Sequence, residues 1–172
     1  MTSNKKNLLV TGGAGFIGSN FINYIHKKYP NYKIQLLDAL TYAGNLENIS
    51  NNLKSNGHFQ FSHGNVTQPD IVNQLVSDSD IVIHFAAKSN VTRSIYANSL
   101  FFETDVIGTQ VLANAIVNHP VERFIHISSS EVYGTAINAP MTEDHPLNPM
   151  SPYAAAKAGA DRLVYSYIHT YG

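Results

Sequence analysis

Two residues four apart in "SPYAAAK", Tyr153 and Lys157, have types and spacing suited to proton transfer. On a helix they lie one turn apart on the same face. A phenol is a poor base at its reference pKa of about 10. A neighbouring ammonium favours the phenolate and lowers that value. Tyr153 beside Lys157 is therefore suited to take a proton from a hydroxyl group. Taken alone, such a pair is more often a surface tyrosine and a surface lysine. A second stretch, "FIHISSSEVYG" (residues 124–134), runs from apolar residues into Ser128, Ser129, Ser130 and Glu131. One reading is that these side chains face a substrate. The plain alternative is a polar loop leaving a sheet.

A third stretch gives these residues a partner. "TGGAGFIGSN" puts Gly12, Gly15 and Gly18 three apart, after a strand-like run and at the head of a helix-like one. That context marks a dinucleotide-binding turn. Gly12 allows the tight turn, Gly15 lets backbone approach a pyrophosphate, and Gly18 lets helix and strand pack closely. The helix N-terminus offers free N–H groups and a partial positive charge to the phosphates. Asp38 stands about twenty residues after Gly18 and closes a second strand-like run. A carboxylate there accepts both ribose hydroxyls and repels a 2′-phosphate, so NAD is expected over NADP. Bound nicotinamide, cationic when oxidised, further favours phenolate at Tyr153.

These groups need elements to hold them. Strands are expected at Asn7–Thr11, Lys33–Leu37, Phe59–Ser62, Ile81–Phe85 and Arg123–Ile127. Helices are expected at Ile17–Tyr29, about Leu46–Leu53, Gln68–Val76, Ser99–Asn118 and from Ser151–Pro152 toward Tyr171. Apolar residues at Ile17, Phe21, Ile22 and Ile25 have helical spacing. Ser151 is a good N-cap, with Pro152 at the first helical position. Apolar strands alternating with helices predict a parallel sheet covered on both faces. The expected fold is α/β: a doubly wound, Rossmann-like sheet in three α/β/α layers, with residues 1–172 as one NAD-binding domain. The chain stops in or just after a helix, before the sixth strand such a fold usually has. It therefore reads as an N-terminal portion of a longer fold.

Composition excludes other classes. Hydrophobic residues make up 44% and charged residues 13%, with a net charge of −1 and no cysteine. No basic footprint for nucleic acid or an anionic membrane stands out. Disulfides and thiolate metal sites are ruled out. The eight histidines show no metal-ligand spacing and read as structural or surface residues, so no metal is expected; His84 and His126 sit near strand ends. The N-terminal apolar run is too short for a signal peptide, and none approaches membrane-spanning length, so a cytoplasmic protein is expected.

The combination of "TGGAGFIG", Asp38, "HFAAKS", "SSSEVYG" and "SPYAAAK" resembles the extended short-chain dehydrogenase/reductase family over nearly the whole chain. Within it, "DALTYAGNLENI", "VTRSI" and "ETDVIGT" look most like the nucleotide-sugar 4,6-dehydratases. The resemblance implies oxidation at C4 by NAD, loss of water across C5–C6 and hydride return to C6, on a dTDP-glucose-like substrate. It implies catalytic roles for Ser129, Ser130, Glu131, Tyr153 and Lys157. Tyr153 removes the O4 proton, Ser129 hydrogen-bonds O4, and Glu131 removes the C5 proton. It implies cofactor contacts from Gly12, Gly15, Phe16, Ile17, Gly18, Asp38, Leu40, Thr41, Ala43, Gly44, Asn65, Val66, Phe85, Ala86, Ala87, Ser89 and Thr104, with Tyr153 and Lys157. Substrate contacts fall on Ser89, Asn90, Arg93, Ser129 and Glu131. A homodimer through the long helix from Ser99 and the final helix is implied as well.

The chain departs from the subgroup's pattern at several places. Ser130 stands where an aspartate is usual, so Glu131 would serve both proton steps. Lys88, Asn90 and Thr92 replace Glu, His and Asp; Asn65 replaces an aspartate that meets the adenine; Asp105 replaces asparagine. These changes favour a different nucleotide sugar, with UDP-N-acetylhexosamine a candidate. A 4-epimerase or UDP-glucuronate decarboxylase of the same family, a non-catalytic NAD-binding module and a structural fragment stay open as alternatives.

Overall fold

The computed structural model describes residues 5–172. The leader expectation rests partly on Met1–Asn4, which lie outside them. The chain divides into two compact units, residues 5–86 with 111–127, and 87–110 with 128–172.

The first unit is built on strict alternation in buried strands. The strands are β1 (Asn7–Thr11), β2 (Lys33–Asp38), β3 (Phe59–His63), β4 (Ile81–His84) and β5 (Arg123–His126). They form one parallel sheet in the order β3-β2-β1-β4-β5. Leu8, Val10, Ile34, Leu36 and Ile83 join one core cluster, with Ala14, Ile22, Ile49 and Leu53 from the segments that follow β1 and β2. Leu9, Leu37 and Val82 join another, with Val72, Leu75 and Val76 of α3 (Pro69–Ser77) and Leu112 and Ala115. Successive residues thus bury on opposite faces, as a strand period of two requires. The sheet carries helices on both sides, so the doubly wound expectation holds. The strand order reverses beside β1, between β1 and β4, which is where such sheets bind ligands.

The main elements lie within a residue or two of expectation: α1 runs Phe16–Lys28, and α7 runs Pro152–Tyr171. Shorter elements differ. The helix expected at Leu46–Leu53 splits into a 3-10 turn, Leu46–Asn48, and α2, Asn51–Lys54. Ile49 turns extended between them and is fully buried. Asn23 of α1 holds the break, its amide donating to the Asn48 carbonyl at 2.9 Å and its oxygen accepting from Ser50 N–H at 3.0 Å. Core burial there overrides helical continuity.

In the second unit, α4 (Val91–Tyr96) was not expected. It starts because Asn90 accepts the Arg93 N–H at 2.9 Å, an N-cap on a helix too short for periodicity to reveal. The helix expected over Ser99–Asn118 is α5 (Asn98–Phe101), a π-helical segment (Phe102–Ile107) and α6 (Gly108–Asn118). The boundary between the units falls within α6, after Gln110. Contrary to the sequence reading, the helical run Asn98–Asn118 is long and apolar enough to cross a membrane by length and composition. Phe101, Leu112, Ala113 and Ala115 on it are buried in the protein.

Candidate active site

In the first unit, the turn after β1 is fixed by contacts that only glycine permits. Gly12 has φ +70°, and a Cβ there would lie 2.5 Å from Ala86 N. That close approach joins the ends of β1 and β4. Thr11 reinforces it: its hydroxyl meets buried His84 Nδ1 at 2.6 Å and accepts the Ala86 N–H at 3.4 Å. His84 is thus a structural histidine. A Cβ on Gly18 would lie 2.5 Å from the Gly12 carbonyl oxygen, so α1 packs directly on the turn. Gly15 differs. Its Cβ would meet nothing closer than that carbonyl at 3.3 Å, leaving the turn open at that point.

Gly15 is the N-cap of α1 and brings no capping side chain, and the first turn carries no acid. The positive end of the helix is therefore left for an external anion. Phe16 and Ile17 are exposed there, at 81% and 63%. These features fit the pyrophosphate of a dinucleotide.

Asp38 ends β2 with both carboxylate oxygens oriented. Oδ2 accepts the Ala14 N–H at 2.9 Å, and Oδ1 accepts the Leu40 N–H at 2.8 Å. Each oxygen keeps lone-pair capacity for a ribose hydroxyl. Leu40 has φ +48°, which sets the loop's course. The loop returns at half-buried Gly44, where a Cβ would lie 2.7 Å from Asp38 Oδ1, while Thr41 and Ala43 stay exposed. Beyond β3, Asn65 accepts the Thr67 N–H at 3.1 Å. The Val66 side chain is committed to the core at 4% exposure. Phe85 packs on Phe21, ring centroids 5.4 Å apart.

The second unit assembles the proton-transfer candidates. Ser151 accepts the Ala154 N–H at 3.1 Å and starts α7 as expected. One turn in, Tyr153 is half-buried, with its ring edge-on to Phe101 at 6.3 Å. Lys157 is only 5% exposed. Burial pushes its ammonium below the ordinary lysine range, and the carboxylates of Asp105 and Asp161 oppose that. The chain leaves β5 through Ser128 and Ser129 into a 3-10 turn, Ser130–Tyr133, that sequence periodicity did not reveal. Ser129 Oγ accepts the Glu131 N–H at 3.2 Å, and this turn packs against α7. Ser130 and Glu131 are exposed.

Of the other expected contacts, Ala87 is half-buried, Ser89 and Asn90 are exposed, and the Asn90 side chain is engaged in capping α4. Arg93 is exposed on α4, which also packs on α7. Thr104 is half-buried in the π-helical segment. The residue that sequence reading left out of the site is Asp105, noted only as a departure from pattern. It is 1% exposed, and burial pushes its carboxyl up to about 6, against the Lys88 N–H and the cations of Lys157 and Lys88. An aspartate beside Val106 and Ile107, in a helical run rich in apolar residues, was the available signal.

A family model described as GDP-mannose 4,6 dehydratase matches residues 9–172. The low-salt glycan biosynthesis protein Agl12 of Haloferax volcanii is 46% identical over 95% of this chain and 52% of its own length. Among solved structures, the dTDP-glucose 4,6-dehydratase DesIV of Streptomyces venezuelae, with NAD bound, superposes with a TM-score of 0.90 at 43% identity, over 96% of this chain and 52% of that one. The UDP-N-acetylglucosamine 4-epimerase of Methanobrevibacter ruminantium superposes equally well, at 0.90, but at 30% identity, over 98% of this chain and 52% of that one. The chain thus spans about half the length of the relatives it matches.

Proposed function

The chain belongs to the GDP-mannose 4,6 dehydratase family, and from that premise we propose that it is the cofactor-binding and proton-transferring part of an NAD-dependent nucleotide-sugar 4,6-dehydratase. Gly12, Gly15, Gly18 and the first turn of α1 would hold the pyrophosphate, and Asp38 the adenosine ribose. NAD, when bound, supplies a hydride acceptor for C4 and later the hydride for C6. The remaining chemistry is the protein's. Tyr153 takes the proton from the sugar O4 hydroxyl, helped by the Lys157 ammonium, while Ser129 hydrogen-bonds that oxygen. The C4 ketone so formed acidifies the C5 hydrogen. The Glu131 carboxylate takes that proton. The same proton, returned from Glu131 to the C6 hydroxyl, lets that group leave as water. When hydride adds at C6, C5 takes up one proton from solvent, balanced by the proton that Tyr153 releases. Ser130 is no acid near neutral pH, so a single carboxyl group carries both steps.

One observation supports this reading most strongly: a lysine 5% exposed stands one turn from a half-buried tyrosine, on a helix packed against the Ser129–Glu131 turn. A lysine of purely structural role is rarely buried so fully. Identity favours the dehydratase over the 4-epimerase reading, 43% against 30%, and so does Glu131, which epimerisation at C4 would leave idle. A homodimer is part of the same proposal, supported by exposed Ile95, Leu100, Phe102, Ile107, Tyr165 and Ile168 on the helices of the second unit. The sugar pocket is proposed to be completed by the half that the relatives carry beyond this region.

The test incubates the full-length gene product with NAD and a panel of dTDP-, UDP-, GDP- and CDP-sugars and follows product mass. Loss of one water, strongly slowed in Glu131→Gln, is the expected result. Unchanged mass with altered sugar configuration would make it an epimerase, and loss of carbon dioxide from UDP-glucuronate a decarboxylase. NAD binding without reaction on any sugar would leave a binding module.

A further inference from the structure

The mechanism uses Lys157 and leaves its buried companion Asp105 without a task. Both sit where the π-helical segment Phe102–Ile107 packs along α7. At one end of that packing Phe101 meets the Tyr153 ring; at the other, Val106 lies 3.4 Å from where a Gly159 Cβ would be. On both elements Asp105 and Lys157 fall between these contacts. A π turn carries one more residue than an α turn and often marks a functional position.

Asp105 Oδ1 accepts the Lys88 N–H at 2.7 Å, while Oδ2 accepts no hydrogen bond. Its backbone carbonyl accepts the Thr109 hydroxyl at 2.5 Å. An asparagine oxygen would serve the Lys88 N–H as well, with no charge. What the carboxylate adds is a negative charge in a water-excluded place. Lys157 needs one, since burial disfavours its ammonium and only the ammonium aids Tyr153.

We infer that Asp105 is a positioning residue whose carboxylate holds the buried Lys157 side chain as an ammonium one turn from Tyr153. This rests on the proton-transfer reading of Tyr153 and Lys157. The other charges that act on the pair are Lys88, from the loop ahead of α4, and Asp161 of α7, itself paired with Arg162 at 2.5 Å. Arg93 and Tyr96 of α4 and Glu103 of the π-helical segment are exposed. The Lys88 ammonium draws on the same carboxylate, so Asp105 serves two cations.

The test uses the 172-residue chain with isotope-labelled lysine side chains. Nuclear magnetic resonance follows the Lys157 Cε signal, assigned by its loss in Lys157→Met. In Asp105→Asn the Lys157 midpoint falls, because the opposing carboxylate is gone while the burial stays. An unchanged midpoint overturns the inference. The unsubstituted chain provides a second reading should the variant not fold. There the Lys157 signal responds as Asp105 titrates near pH 6, and no response in that region also overturns it. Neither measurement involves substrate or NAD, so a failed dehydration assay and a failed titration are separate results.

Discussion

In the folded chain the Asp105 carboxyl titrates at about 6, against an ordinary 3.8, because burial outweighs the pull of Lys88 and Lys157. The folded state therefore binds that proton more tightly than the unfolded state does. Its stabilising contribution is complete below the unfolded value and is lost as pH rises through about 6. Asp105→Asn should leave unfolding unchanged at pH ~3 and raise stability at pH ~8, by up to roughly 3 kcal/mol. Urea unfolding of both chains at the two pH values measures this; equal curves at the higher pH would refute it. Such a gain on removing a charge is what a site tuned for function leads one to expect. Glu131 lies at the opposite extreme, exposed and held by backbone through Ser129. Glu131→Gln should leave the fold intact and reduce dehydration by about 10²–10⁴-fold, the usual worth of a general acid–base group. Product mass in a timed assay of the full-length protein checks it. Glu131 entered as a candidate through the resemblance, and that Tyr153 and Lys157 share one helix was legible from their spacing. Asp105 was not, because its importance lies in burial and in a neighbour far along the chain.

At the scale of elements, α7 depends on its start. Ser151→Ala removes the oxygen that accepts the Ala154 N–H. It should cost about 1 kcal/mol, read as a lower urea midpoint with an unchanged slope. The turn after β1 is less forgiving. Gly12→Ala puts a Cβ against the Ala86 backbone in a left-handed conformation, so it should destabilise by more than about 1 kcal/mol and abolish dinucleotide binding. Calorimetric binding that survives unchanged would contradict the role given to this turn. Long elements were legible because periodicity accumulates over many residues. The short ones were not. α4 exists through the Asn90 cap, the break at Ile49 through core burial, and the π-helical segment through packing on α7. In each case one tertiary or capping contact outweighs a weak local preference.

For the molecule as a whole, cofactor binding and turnover should separate. The first unit contains both the glycine turn and Asp38, so the 172-residue chain should bind NAD, and more tightly than NADP. Asp38→Ala should narrow that preference, since the repelling carboxylate is gone. Titration calorimetry with each dinucleotide gives the ratio; a wild-type preference for NADP would refute the assignment of Asp38. Turnover by this chain alone should be poor, because it spans about half the length of its relatives.

The sequence by itself determined the strand and helix order, the glycine turn with its acid, and the Tyr153–Lys157 pair. These follow from local spacing, which is fixed along the chain whatever the tertiary surroundings. Only the tertiary structure decided which of those groups are buried, how Asp38 is oriented by the Ala14 and Leu40 amides, and that Asp105 and Lys157 are buried on packed elements. Charge stabilisation depends on distance and exclusion of water, and neither is written in the spacing of residues along a chain.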